Sequence, residues 1–364
     1  MSLSFRNEID IMVLLHGATI ADVAIQPRSR PPLTRLFAGK PAESLLSVLP
    51  RLFSLCSVAH QVAFLSAVEA ARGEKLSAAT SQRRVTAVIA ERLTELLRSL
   101  FIGRLALDDA RAAAVRTMMQ ASVVLCGGVE EGSPVSPRRE AVVQIKSALN
   151  DLGVTGEDRL PAPGSALAAY LASLDGDELS IPVAERSFLS AGDDLDIVMR
   201  LLADGAHFSD APELHGRVPE TGVWARSIGR EPALPPDAGA AERLKARIAE
   251  VARLCTWLED GGQELEDDVV ASYSLGLRRG AAAVECARGR LYHAVELDGE
   301  GRILRFEFLA PTEWNFHARG PLVRSLEGAR IDGGRQGQDA VRALVNSFDP
   351  CVGFSLGFRE AGHA

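Results

Sequence analysis

Arg51-Leu-Phe-Ser-Leu-Cys56-Ser-Val-Ala-His60 lies inside a run from Pro41 to Arg72 in which apolar residues recur at helical spacing. Two further runs, Lys75 to Arg104 and Ala106 to Val124, repeat the pattern. Apolar positions three and four apart share one helical face, so the periodicity predicts three helices of about 20 to 30 residues. Helices of that length bury their stripes against one another, which predicts a long-helix bundle. Shorter helices are predicted near 140–152, 165–174, 193–204, 240–258 and 336–347, divided by breaker-rich connections at 127–139, 160–165 and 230–239. Residues 8–25 alternate apolar and polar character about His16-Gly17 and read as a β hairpin. Two β-rich runs flank Asp298-Gly299-Glu300-Gly301 and read as a second. The expected class is α+β, mainly α, with small peripheral β elements. We read residues 1–364 as a single domain, with an N-terminal β region at 1–40, a helical bundle at 41–280, and a β hairpin with a C-terminal motif at 281–364. There is no internal repeat or low-complexity tract.

With 47% hydrophobic and 24% charged residues over 364 positions the chain can bury a sizeable core. A formal charge of -8, with arginines scattered rather than clustered, argues against a nucleic-acid surface. No apolar run approaches the about 18 residues of a membrane span. The N-terminus carries Arg6, Glu8 and Asp10 and lacks the order of a signal peptide. A cytoplasmic protein is expected. Cys56, Cys126, Cys255, Cys286 and Cys351 are odd in number and far apart, unlike a disulfide framework, so reduced thiols are expected.

Taken singly, each cysteine is a small buried hydrophobe by default. Cys56 and His60 stand four apart, a spacing that serves zinc ligation or core packing. Arg288 alone reads as an ion-pair partner, Asp349-Pro350 as a turn, and Trp314 with Asn315 as a strand-end anchor.

In series the motifs say more. The Arg51–His60 stretch and Asp349-Pro350-Cys351-Val-Gly-Phe354-Ser-Leu-Gly357 resemble the R-x-C-x-x-C-x-x-x-H and D-P-C-x-x-C-x-x-H signatures of the nickel-iron hydrogenase large subunit. Glu285-Cys286-Ala287-Arg288-Gly289-Arg290-Leu291-Tyr292-His293 resembles that family's E-x-P-R-G-x-L-x-H, and Pro311-Thr312-Glu313-Trp314-Asn315 its P-[ST]-x-W-N. The resemblance spans residues 51 to 357 but leaves roughly 75 to 280 unmatched. Cys56, His60 and Cys351 match. Phe53 stands where the first cysteine would be, and Phe354 and Gly357 replace the last cysteine and histidine.

The half-erased pattern is similar to the HupK/HoxV family of hydrogenase assembly proteins. The resemblance implies a hydrogenase large-subunit-like fold and a non-enzymatic scaffold that transiently holds an Fe(CN)2(CO) unit. Its partners would be a HypC-type chaperone and the immature large subunit. Cys56 and Cys351 would be the metal thiolates, and Arg288, Thr312 and His60 would flank the cargo. The resemblance places Cys56 at an iron-bridging position and Cys351 at a nickel-only position. With two soft anionic donors replaced by apolar rings, no nickel is expected. No maturation cleavage is expected either, since Gly357 replaces the final histidine and Phe358 to Ala364 alone follow. Cys286 reads as a spare thiol beside Arg288. Two alternatives stay open: a metal-free structural subunit related to the hydrogenase-like subunit of respiratory complex I, and a divergent hydrogenase or zinc hydrolase.

Overall fold

The run from Pro41 to Arg72 divides into three pieces: a 3-10 turn at Ala42–Leu45, a short helix at Leu49–Leu52 and a long one at Ser57–Arg72. Cys56 makes the last break, with left-handed φ 58° and ψ 34°. For a residue with a Cβ this conformation costs about 1–2 kcal/mol, so surrounding contacts must hold it. The periodicity is intact, because the Ser57–Arg72 helix buries Ala59, Val62, Ala63, Ala67 and Ala71. Periodicity alone does not reveal a left-handed residue that stops one helix and starts another.

This computed structural model describes residues 8–103, 105–126, 136–156, 160–174, 179–180, 186–231, 234, 238–261, 268–331 and 334–360. Most of the expected 127–139 connection, part of the 230–239 connection and the last four residues lie outside them. The other expected helices are found at Ala78–Phe101, Asp109–Cys126, Ser136–Asp151, Ala166–Leu174, Asp194–Asp204, Ala240–Glu259 and Arg335–Ser347. The helices from Ser57–Arg72 through Ala166–Leu174, together with Ala240–Glu259, share one large apolar core. Among the described residues no helix is long and apolar enough to cross a membrane.

The described residues hold nine strands in two sheets: β1 Glu8–His16, β2 Thr19–Gln26, β3 Leu179–Ser180, β4 Val270–Ser274, β5 Arg279–Cys286, β6 Gly289–Leu297, β7 Ile303–Leu309, β8 Arg330–Ile331 and β9 Gly353–Glu360. The first sheet has the order β3-β8-β2-β1-β9, with β1 and β9 parallel. The N-terminal hairpin is therefore closed by the C-terminal strand. The second sheet is antiparallel, in the order β4-β5-β6-β7.

This second sheet lies deeper than a peripheral hairpin. Successive side chains of a strand point to opposite faces. Along β5, Ala282, Val284 and Cys286 join the helical core, while Ala281 and Ala283 meet Ile197, Leu201 and Trp314 on the other side. The Ser57–Arg72 helix comes so close that a Cβ on Gly280 would stand 2.2 Å from the Ala67 carbonyl oxygen. The sheet thus seats Cys286 and Arg288 between two layers rather than at a rim.

Candidate functional site: a cavity walled by three thiols and two guanidiniums

The Ala78–Phe101 helix organises the site through a polar stripe at Glu91, Glu95 and Ser99, four residues apart and therefore on one face. The Glu91 carboxylate accepts from the backbone N–H groups of Val58 at 2.7 Å and Ala59 at 2.8 Å. It caps the Ser57–Arg72 helix where the helix dipole favours negative charge, and this fixes the Cys56 turn. Burial raises the Glu91 carboxyl above its ordinary range, against those backbone bonds. One turn on, Glu95 accepts from Arg288 Nη1 at 3.1 Å. A further turn on, Ser99 Oγ donates to Asp349 Oδ1 at 3.0 Å. Asp349 Oδ2 lies 3.4 Å from Arg288 Nε.

Arg288 sits on the tight connection between β5 and β6, where Cys286 pairs with Gly289. Gly289 has φ +129°, and a Cβ there would fall 2.3 Å from Thr221 Oγ1, so this corner requires glycine. Arg226 clamps the connection by donating to the carbonyls of Cys286 at 3.3 Å and Ala287 at 3.1 Å, and it pairs with Glu285. Glu250 backs it, accepting from Arg226 Nη2 and from Arg92 Nε at 2.7 Å each. Burial opposes the charge on Arg288, yet Asp349, Cys56 and Glu95 outweigh it and hold the guanidinium firmly protonated.

Cys56, Cys286, Cys351, Arg28, Arg288 and Thr312 line one cavity of about 70 Å³. Arg288 Nη1 donates to Cys56 Sγ at 3.3 Å. Cys56 and Cys286 are hydrogen-bonded to each other through their sulfurs. That bond and burial push the Cys56 thiol well above its usual value, while the same bond draws Cys286 down. Cys351, less deeply buried, lies 3.0 Å from Thr312 Oγ1. Arg28 is anchored to Glu313 at 2.9 and 3.2 Å.

Cys56, Cys351, Arg288 and Thr312, nearly 300 positions apart at the extremes, therefore meet in one cavity. His60 borders it but is otherwise engaged. Its Nδ1 is 2.9 Å from His293 Nε2, and its ring stacks on Phe53 at 3.6 Å and 3°. Burial holds His60 well below the ordinary imidazole range and His293 at about 3, so both rings are neutral near pH 7. Phe53 fills a first-motif position with a stacked ring. Phe354 and Gly357 lie on β9, where Phe354 packs into the core of the first sheet and Gly357 stands opposite Met12.

Cys286 reads in sequence as a spare thiol, but it contacts Cys56 directly. Glu91, Glu95 and Arg28 escape sequence reading. The available signal is two carboxylates four apart on the apolar face of an otherwise well-patterned helix, and Arg28 and Arg30 within a proline-rich stretch. Among the described residues no three His, Cys, Asp or Glu side chains are arranged to hold one ion. The cavity offers thiols as soft donors, with a fixed guanidinium and a hydroxyl beside them.

A family model for nickel-dependent hydrogenases matches residues 240–356, which include the third and fourth motifs and Cys351. The NAD+-reducing [NiFe]-hydrogenase in its H2-reduced state superimposes with a TM-score of 0.58 at 17% identity, covering 93% of this chain and 94% of that one. The Ni-Fe-Se hydrogenase from Desulfovibrio vulgaris Hildenborough, in its as-isolated oxidized state, gives 0.56 at 15%, with coverage of 93% and 94%. At these identities the likeness establishes the fold, which is that of the nickel-iron hydrogenase large subunit. The sequence relatives are nearer. The hydrogenase expression/formation protein HupK of Bradyrhizobium diazoefficiens is 70% identical over the full length of both chains. HupK of Rhizobium leguminosarum bv. viciae is 34% identical over 98% of each, and HoxV of Cupriavidus necator is 28% identical over 91% of this chain and 92% of its own. The chain belongs to the HupK family of hydrogenase expression/formation proteins.

Proposed function

We propose that this protein serves hydrogenase maturation as a scaffold in the cytoplasm, holding Fe(CN)2(CO) in the thiol-lined cavity before its delivery to the immature large subunit. The observation that carries this reading is the convergence of Cys56, Cys351, Arg288 and Thr312, from four separate segments, on one small cavity. Iron bearing three strong-field diatomic ligands needs only a few further donors, and soft thiolates suit it. Arg288 offers fixed, charge-assisted donors to cyanide nitrogen, and Thr312 a hydroxyl. His60 flanks the cargo through its contact with Phe53. Nickel is not part of the proposal, because the positions that would complete four thiolates carry phenylalanines committed to packing. A hold of few thiolates suits release, and the expected receivers are a HypC-type chaperone and the immature large subunit.

The test is infrared spectroscopy and iron analysis of protein purified without oxygen from cells that assemble the hydrogenase. Wild type should carry iron and the stretching bands of cyanide and carbon monoxide. Cys56→Ser keeps nearly the same volume but substitutes a hydroxyl, a poor iron donor, and should lose the bands at unchanged abundance. Full bands in Cys56→Ser would reject Cys56 as an anchor. Wild-type protein free of iron and bands would favour the metal-free structural role instead.

A further inference from the structure

We propose that Cys286 is an iron thiolate, and that Cys56 and Cys286 together, rather than Cys56 with Cys351, make the first hold on the cargo. This rests on the scaffold reading above. Cys56 and Cys286 line the same small cavity side by side, each thiol within reach of the other. Metal–sulfur bonds of roughly 2.3 Å place neighbouring sulfurs of one ion about 3 to 4 Å apart, so a chelate needs little movement. Cys351 instead has its sulfur bonded to Thr312 and lies nearer solvent.

Both members of the pair sit on backbone that is held in place. Cys56 is fixed by the Glu91 cap on the helix it precedes, and Cys286 by the Arg226 bond to its own carbonyl. Donors fixed in this way lose little freedom on binding, which favours them over a thiol on a connecting segment. Arg288 completes the arrangement. It lies two residues beyond Cys286 and donates to Cys56, so ligands on an ion bridging the two sulfurs would face its guanidinium. On loading, two Fe–S bonds form as the iron's bonds to its donor's ligands or to water break, any thiol protons pass to solvent and the iron keeps its oxidation state. Cys351 is then the thiol left for exchange on the side nearer the surface.

The experiment compares wild type with Cys286→Ser, Cys286→Ala and Cys351→Ser, each purified without oxygen and checked for native circular dichroism and denaturation midpoint. Iron content and cyanide and carbon monoxide bands report the cargo. A cobalt(II) titration of metal-free protein reports thiolate donors independently through the sulfur-to-cobalt absorption. Both Cys286 variants should lose cargo by about tenfold or more, the loss seen even when groups supporting a ligand are removed. They should also halve the cobalt band, whereas Cys351→Ser should lose clearly less of both. Wild-type bands that persist in Cys286→Ala overturn this assignment and leave the scaffold reading standing. Wild type without bands overturns both. Equal losses in the Cys286 and Cys351 variants would also reject the pair as the first hold.

Discussion

Replacing Arg288 by methionine tests whether the cavity wall is built as an ion-paired unit. The Arg288 side chain is 7% exposed, Glu95 5% and Asp349 13%. At the observed separations of 3.1 and 3.4 Å, each attraction is about 5 kcal/mol at an effective dielectric of about 20, most of it offset by the cost of burying the charges. Methionine keeps much of the apolar stem but takes away the guanidinium that stands between the two carboxylates. Removing one partner of a buried ion pair costs about 3–5 kcal/mol. Ser99 still binds Asp349, and Arg98 stands 3.7 Å from Glu95, so the lower end, about 3 kcal/mol, is expected. Urea denaturation with unchanged slope measures it. Adding Glu95→Gln to Arg288→Met should recover about 1 kcal/mol, because the second change removes a stranded charge. An Arg288→Met loss below about 1 kcal/mol, with no recovery in the double variant, would refute this account of the wall.

Two further outcomes follow from buried groups beside the site. His60 and His293 have folded-state affinities for protons below the unfolded value near 6.5, so the unfolded chain protonates first as pH falls and stability declines from about pH 6.5 toward 3. Denaturation midpoints at pH 7.5, 6.5 and 5.5 should fall, and His293→Phe should flatten that slope; an unchanged slope would show that His293 is not held buried and neutral. Gly280→Ala places a Cβ 2.2 Å from the Ala67 carbonyl oxygen and 2.3 Å from the Ala71 nitrogen. It should cost about 3 kcal/mol, seen as a lowered thermal midpoint, and a shift within error would mean that the helix and sheet are not in contact there.

Much of the fold was legible because its elements carry their own periodicity. The Ala78–Phe101 and Ala240–Glu259 helices and the β1–β2 hairpin follow from apolar spacing and from turn residues that any chain would use. What stayed hidden depends on distant partners. The break at Cys56 is maintained by Glu91, 35 positions later in the numbering and on another helix. The depth of the second sheet follows from alanines and Gly280, which read as weak strand formers until a helix is laid on them. The parallel pairing of β1 with β9 joins the two ends of the chain, and no local pattern encodes it.

The site divides along the same line. Cys56, Arg288, Thr312 and Cys351 could be picked out because each sits in a motif, whereas Glu95, Arg28 and the contact between Cys56 and Cys286 exist only through the fold. The substituted positions explain why the motifs look half-erased. Phe53 is not a gap in a ligand set, since its ring stacks on His60 and meets Phe308 edge-on at 5.0 Å. Phe354 and Gly357 belong to β9, whose pairing with β1 begins at Gly353, two residues after Cys351. Returning a cysteine at 53 would therefore open a cavity beside His60, and returning one at 354 would place a thiol in the apolar core of the first sheet. Neither change by itself rebuilds four donors around one point. The residues nearest Arg288 keep polar, thiol-bearing chemistry while the other half of the motif positions has been given to packing, an asymmetry that the proposed hold on iron without nickel would require.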